Sequence, residues 1–135
     1  MLTPFLPGAI KQIRVRVTAD KLARFETGLV HPVYSTFALG QDAEWACRQF
    51  VLEMLEPGEE GVGTFLTIYH QRPALEGEEV EITATLDRVT GREVVCTWVA
   101  RVGTRQLAHG EQGQQIINRA RFEALLASLR EDPQT

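Results

Sequence analysis

The chain has few cysteines and no long apolar run, and each shortage excludes a class of protein. Its two cysteines, Cys47 and Cys96, lie in apolar periodic segments, which predicts buried thiols rather than a disulfide or a metal site. No stretch approaches about 18 apolar residues, so a transmembrane helix is not expected. The first ten residues lack the basic start of a secretory signal. We therefore expect a cytoplasmic protein with no metal, no cofactor and no membrane contact.

Lysine is also scarce, because 12 of the 14 basic residues are arginines, against 18 acidic residues. The formal net charge of −4 gives no basic surface, so nucleic acid is not an expected partner. A ligand with phosphates would need a few local arginines, for which Arg72, Arg119 and Arg121 are candidates. The 135 residues, 44% of them hydrophobic, can bury one core, and we predict a single domain over residues 1–135.

The first half of the chain contains one predicted helix. Ile13, Val15 and Val17 alternate with polar residues and predict a strand. Residues 19–33 are mixed and predict an ordered loop or a short helical turn. Apolar residues then recur at helical spacing and predict a helix over residues 39–55, which Pro57 and Gly58 would stop.

The second half of the chain is rich in strand-forming residues. Four strands are predicted over residues 64–70, 80–86, 94–102 and 106–117. A last helix follows Asn118 and carries an apolar face made of Phe122, Leu125, Leu126 and Leu129. One mid-chain helix followed by an antiparallel meander predicts an α+β fold, in which the sheet wraps around the helix. This arrangement is called a hotdog.

Three side chains of the kind that acyl transfer requires fall between residues 36 and 70. They are the hydroxyl of Thr36, the carboxylate of Glu44 and the imidazole of His70. We expect Thr36 to lie in the loop before the helix, so that its hydroxyl can fold back toward Glu44. Gly63, at a loop-to-strand junction, would let a ligand approach the backbone and would offer its N–H to an oxyanion.

Each of these residues also has an ordinary structural explanation. Thr36 resembles a helix cap, Glu44 an exposed carboxylate in a first helical turn, and His70 a surface residue at a strand end. Gly63 resembles a turn glycine. Taken singly, these explanations are at least as good as the catalytic ones.

Together the motifs resemble a known family. The run TFALGQDAEWAC at residues 36–47, LEPGE at residues 55–59, the pair Gly63-Thr64, and His70 resemble the fluoroacetyl-CoA thioesterase type of single-hotdog thioesterase. The resemblance covers about residues 10–127. It implies a homodimer, a catalytic group formed by Thr36, Glu44 and His70, and contact of the thioester carbonyl with Gly63. The activity that it implies is hydrolysis of a small acyl-CoA thioester, in which Glu44 and His70 activate Thr36 or a water.

One departure from the family limits what the resemblance implies. The family has a Thr-His-x-Arg pattern on the last long strand, where this chain has Glu111-Gln112-Gly113-Gln114. The phenylalanine-rich lid of the fluoroacetyl enzyme also differs here, around residues 30–34, so fluoroacetyl specificity is not expected. Gln114 favours an alternative, a non-catalytic protein that binds acyl-CoA or another small molecule. A hydratase of the same fold is disfavoured because its Asp-x4-His arrangement is missing.

Overall fold

A long antiparallel sheet follows one long helix along the chain and curls around it. The computed structural model describes residues 1–131. The strands and helices are β1 Ile10–Arg16, β2 Leu22–Phe25, β3 Gly28–Tyr34, α1 Thr36–Leu52, β4 Glu59–Leu66, β5 Tyr69–His70, β6 Glu79–Thr90, β7 Glu93–Val102, β8 Arg105–Asn118 and α2 Arg119–Glu131.

The main sheet has the strand order β1-β6-β7-β8-β4, and the short strand β5 pairs with β8 beyond the end of β4. All of its neighbouring strands are antiparallel. Alternate residues of the central strands face α1, which packs against β1, β4, β6, β7 and β8. On β6 these buried residues are Val80, Ile82, Ala84 and Leu86. The period-two pattern of the sequence thus becomes the inner face of the sheet, and the predicted hotdog fold is confirmed.

The helix α1 begins three residues before the predicted start. Ser35 is its cap, since the Ser35 hydroxyl accepts a hydrogen bond from the backbone N–H of Ala38 at 3.0 Å. Thr36 is therefore the first residue of the helix, and the prediction that it lies in the preceding loop is wrong. The buried side of the helix includes Leu39, Ala43 and Phe50, all inaccessible to solvent.

Two segments before α1 are more ordered than the sequence indicates. Residues 22–34 form the hairpin β2–β3 rather than a loop. Asp42 of α1 anchors this hairpin, because it accepts hydrogen bonds from the hydroxyl of Tyr34 and from Lys21 just before β2. The first residues lie against the end of α1, where the Phe5 ring meets the Phe50 ring edge-on at 5.2 Å.

The second helix lies at the margin of the fold. Asn118 caps it, as predicted, by accepting the backbone N–H of Arg121 at 2.9 Å. Its apolar face remains partly open, with Leu125 51% exposed, and none of its residues is buried. Neither α1 nor α2 has the length and hydrophobicity that a membrane crossing needs, and residues 1–131 contain no other α-helix.

Candidate active site

The first contact at the candidate site joins the start of α1 to the end of β5. Thr36 Oγ1 lies 2.9 Å from His70 Nδ1, although 34 residues separate them in the chain. His70 is placed by β5, which pairs it with Ala108 of β8 and so turns its side chain toward the inner face of the sheet. The hydroxyl and the imidazole that the sequence singled out are therefore in hydrogen-bond contact.

The surroundings of His70 favour its neutral form. Burial lowers the pKa of His70 below its usual value of 6.5, while a backbone hydrogen bond involving Arg72 acts in the opposite direction. Within residues 1–131 its Nε2 atom is buried and has no hydrogen-bond partner. A neutral imidazole bonded to a hydroxyl can take a proton from that hydroxyl or from a water.

Glu44 lies apart from this pair. It is eight residues beyond Thr36 on the same helix, which at roughly 1.5 Å per residue is about 12 Å along the axis. Among the described residues its hydrogen bond is with Gln112, whose Nε2 donates to Glu44 Oε1 at 3.0 Å. One chain thus brings together Thr36 and His70 but holds Glu44 in a second cluster.

A groove along α1 connects the two clusters. Thr36 and Glu44 both line it, together with Phe37, Gly40, Gln41, Leu66 and Ile68, and its volume is about 390 Å³. A side chain at Gly40 would place a Cβ 2.8 Å from Ile68 Cδ1, so glycine lets the chain after β4 pack this closely to the helix. The volume is within the range of small-molecule sites.

A larger groove, of about 490 Å³, lies on the outer face of the sheet. There Tyr69 stacks on His109 at 5.2 Å between ring centroids. Thr36 and Glu44, which line the groove along α1, are both absent from the lining of this larger groove. The groove along α1 is therefore the candidate active site.

Gly63 lies next to the carboxylate of Glu44. It is part of β4, opposite Gln114, and a Cβ at this position would be 2.3 Å from Glu44 Oε1. Glycine is therefore required here for the close approach of Glu44 to the strand. The predicted contact of Gly63 with a thioester carbonyl remains a prediction.

Two residues of this site, Gln112 and Gln114, were not predicted to contact Glu44. Both are only 1% exposed and lie on the inner face of β8, in register with the buried residues Ala108 and Ile116. That alternation was visible in the sequence, where two amides occupy positions of an apolar stripe. In the sequence, Gln114 was noted only because it stands where the family has an arginine.

The described residues offer no thiol or metal chemistry at this site. Cys47 and Cys96 are free and buried. Contact with the Cys96 thiol and burial raise the pKa of Cys47, so a thiolate nucleophile is disfavoured. No three His, Cys, Asp or Glu side chains of residues 1–131 are grouped as metal ligands.

Solved structures show which class of protein has this fold. A hypothetical protein of Thermus thermophilus, a thioesterase superfamily member, is 32% identical, with 96% of each chain covered and a TM-score of 0.91. The fluoroacetyl-CoA thioesterase FlK is 25% identical, with 93% of this chain and 98% of that chain covered and a TM-score of 0.86. A phenylalanine-to-alanine mutant of FlK has been solved in complex with fluoroacetate and CoA. The fold is thus that of the thioesterase superfamily.

Within this class the family is also clear. The model of the fluoroacetyl-CoA-specific thioesterase family matches residues 17–120, and the chain belongs to that family. The fluoroacetyl-CoA thioesterase of Streptantibioticus cattleyicolor is 32% identical over 81 residues. That match covers 60% of this chain and 58% of the relative, so the chain matches less than two thirds of the relative's length. The resemblance seen in the sequence is confirmed.

Proposed function

We propose that this protein hydrolyses a small acyl-CoA thioester to the free acid and CoA. The observation that carries the proposal is the 2.9 Å contact between Thr36 Oγ1 and His70 Nδ1, beside a groove that Glu44 also lines. Membership of the thioesterase family supports the same activity. Fluoroacetyl is not proposed as the acyl group, because the hairpin β2–β3 lacks the phenylalanine-rich sequence expected for the lid of a fluoroacetyl-CoA thioesterase.

Two routes fit this arrangement. In one, His70 takes the hydroxyl proton while Thr36 Oγ1 attacks the thioester carbon, the C–S bond breaks, and water later hydrolyses the acyl-threonine. In the other, Glu44 takes a proton from water, which attacks directly, and Thr36 and His70 orient the substrate. In both routes CoA leaves as a thiolate and is then protonated. A burst of free CoA in pre-steady-state kinetics distinguishes the covalent route.

Substrate contacts complete the proposal. The Gly63 backbone N–H is proposed to donate to the thioester oxygen as it becomes negative, an interaction worth about 3–4 kcal/mol in other enzymes. Among the three arginines considered for the CoA phosphates, Arg72 is favoured because it lines a shallow pocket together with His70. Arg119 and Arg121 begin α2 instead, where Arg119 contacts Glu60.

A homodimer is part of the proposal. Among the described strands β4 pairs with β8 alone, so its other edge is open. Large apolar side chains lie exposed on β4 itself, where Phe65 and Leu66 are 36% and 39% exposed, and beside it at Phe37, which lines the groove with Leu66 and is 86% exposed. Such an edge is suited to cover by a second copy. Pairing is further proposed to bring the Glu44 of one subunit to the Thr36–His70 pair of the other, since one chain keeps them apart.

Mixing two inactive variants tests this shared site. Glu44→Gln and His70→Ala subunits would together form a heterodimer with one intact site and one doubly defective site, so activity should return. No recovery after subunit exchange, with dimers verified by sedimentation, would contradict the shared site.

The proposal also includes a single domain over residues 1–135, of which residues 132–135 lie outside the described range. It further includes a cytoplasmic location, with which the free thiols of Cys47 and Cys96 agree.

A thiol-release assay over short-chain and aryl acyl-CoAs tests the activity itself. The wild-type protein should release CoA from at least one member of the panel, and Glu44→Gln should lower that rate by at least about 10²-fold. Saturable binding of an acyl-CoA with no product would instead support the non-catalytic alternative. Wild-type turnover in Glu44→Gln would remove Glu44 from the mechanism.

A further inference from the structure

A line of hydrogen-bonded side chains crosses the interior from Arg48 to Glu44. Arg48 Nη1 donates to Gln114 Oε1 at 3.4 Å, and Gln114 Nε2 donates to Gln112 Oε1 at 3.0 Å. Gln112 Nε2 then donates to Glu44 Oε1, also at 3.0 Å. Arg48 and Glu44 come from one turn of α1, and the two amides come from the facing positions of β8. We call these four residues the amide relay.

The direction in which hydrogen bonds are donated along the relay is determined by the residues at its two ends, Arg48 and Glu44. A guanidinium only donates hydrogen bonds and a carboxylate only accepts them. The oxygen of Gln114 must therefore face Arg48, its NH₂ group must face Gln112, and the NH₂ group of Gln112 must face Glu44. No other assignment of the oxygen and nitrogen atoms of the two amides satisfies every contact.

Further contacts hold Gln112 and Arg48 of the relay in place. The NH₂ group of Gln112 also donates to the Gly113 carbonyl at 2.9 Å. Arg48 is held by the Gly61 carbonyl and by Glu60, each at 2.9 Å. Both glutamines are 1% exposed, and buried amides are tolerated only where such partners satisfy them. Each nitrogen and oxygen atom of the two amides has a partner, and such a buried network favours one arrangement of its members.

The relay acts on one oxygen of Glu44. Gln112 binds Oε1, and the same oxygen lies against the backbone of Gly63, where a Cβ would come within 2.3 Å. The side chain is therefore held from two sides, and Oε2 is left for chemistry in the groove. Neither a helix position nor burial alone would select between the two oxygens.

We propose that Gln112 and Gln114 are positioning residues, which anchor the Glu44 carboxylate to Arg48 and determine which oxygen serves the reaction. The catalytic consequence rests on the proposed thioesterase function, whereas the coupling along the relay does not. The positive charge at the end of the relay is the guanidinium of Arg48 on α1.

Side-chain amide NMR tests the coupling without any assay of activity. The two NH₂ pairs are assigned by their loss in Gln112→Leu and Gln114→Leu. Arg48→Met should shift the signals of Gln114 and also those of Gln112, and Glu44→Gln should shift the same two pairs from the other end. The exposed Arg88→Met is the matched control and should move neither. If a change at Arg48 leaves Gln112 unmoved, in a variant whose backbone spectrum is otherwise retained, the relay is refuted.

A kinetic cycle tests the positioning role. Gln112→Leu should lower kcat by about tenfold or more and leave KM within about twofold, because a misplaced carboxylate impairs the chemical step more than binding. In a Glu44→Gln background the same substitution should cost nothing further. The exposed Gln115→Leu, on the outer face of the same strand, should match the wild type.

The outcomes separate the two proposals. Wild-type protein that hydrolyses no acyl-CoA refutes the proposed function, and the NMR shifts then decide the relay alone. Active wild-type protein, with a Gln112→Leu variant of unchanged kcat and unchanged Tm, refutes the positioning role. If Gln112→Leu lowers kcat by the same factor in the wild type and in Glu44→Gln, the positioning role is also refuted, because Gln112 would then act through a group other than Glu44.

Discussion

The two halves of the candidate site are built in opposite ways. Thr36 is exposed and His70 half-buried, and one hydrogen bond joins them. Glu44 is instead the end of a buried relay of two amides and an arginine. A single contact can break and re-form while a proton moves, whereas a satisfied network resists rearrangement. The first half can therefore rearrange through one contact, whereas the second half holds its carboxylate in one arrangement.

The largest effect should come from the half with the single contact. His70→Ala removes the imidazole that we propose as the base at the Thr36 hydroxyl and should lower kcat by at least about 10²-fold, as measured by thiol release. His109→Ala is the control, since His109 stacks on Tyr69 at the outer face of the sheet. Similar losses in both variants would mean that the contact with Thr36 is not what matters.

A smaller effect should follow from adding a side chain next to Glu44, in the half of the site that contains the amide relay. Gly63→Ala would place a methyl group 2.3 Å from Glu44 Oε1 and displace the carboxylate, so kcat should fall by about tenfold or more. Gly61→Ala, two residues earlier, would press hardest on Val51, at 2.6 Å, and less on Arg48 Nη1 and Gln114 Oε1, at 3.3 and 3.4 Å, and should cost about 1–3 kcal/mol of unfolding free energy. Thermal unfolding and kcat, measured on both variants, should therefore separate the two glycines.

The smallest effect should be on the pH dependence of stability. Because burial lowers the pKa of His70 in the folded state, the unfolded chain takes up the proton first as pH falls. The stability that this difference contributes is fully present above about pH 6.5 and is lost as pH falls through the lowered folded pKa. The Tm advantage of wild type over His70→Gln should shrink from pH 7.5 to pH 5. An advantage that grows on acidification would mean that His70 is charged in the fold.

The two helices show where sequence patterns stop being informative. Both have apolar residues at helical spacing, and both were predicted close to their actual positions. The sheet nevertheless covers nine residues of α1 and buries none of α2. Periodicity indicates that a helix has an apolar face, but the element that covers the face can lie anywhere in the chain.

The hairpin β2–β3 was missed for a local reason. Its pairing is irregular at two points, between Leu22 and Ala23 and between Ala23 and Arg24. Residues 28–32 are all exposed, so no face alternates with an opposite one. A period-two signal arises only when one face is buried and the register is regular, and here both conditions fail.

Apart from the hairpin β2–β3 and the break between β4 and β5, the sequence by itself determined the types and order of the elements, the hotdog class, and the side chains available for chemistry. These depend on patterns within about ten residues, which is the range of helix and strand periodicity. Only the tertiary structure decided which side chains meet. It joined Thr36 to His70 across 34 residues and Glu44 to Gln112 across 68. Such contacts follow from the way the whole sheet packs around α1, and no local pattern specifies them.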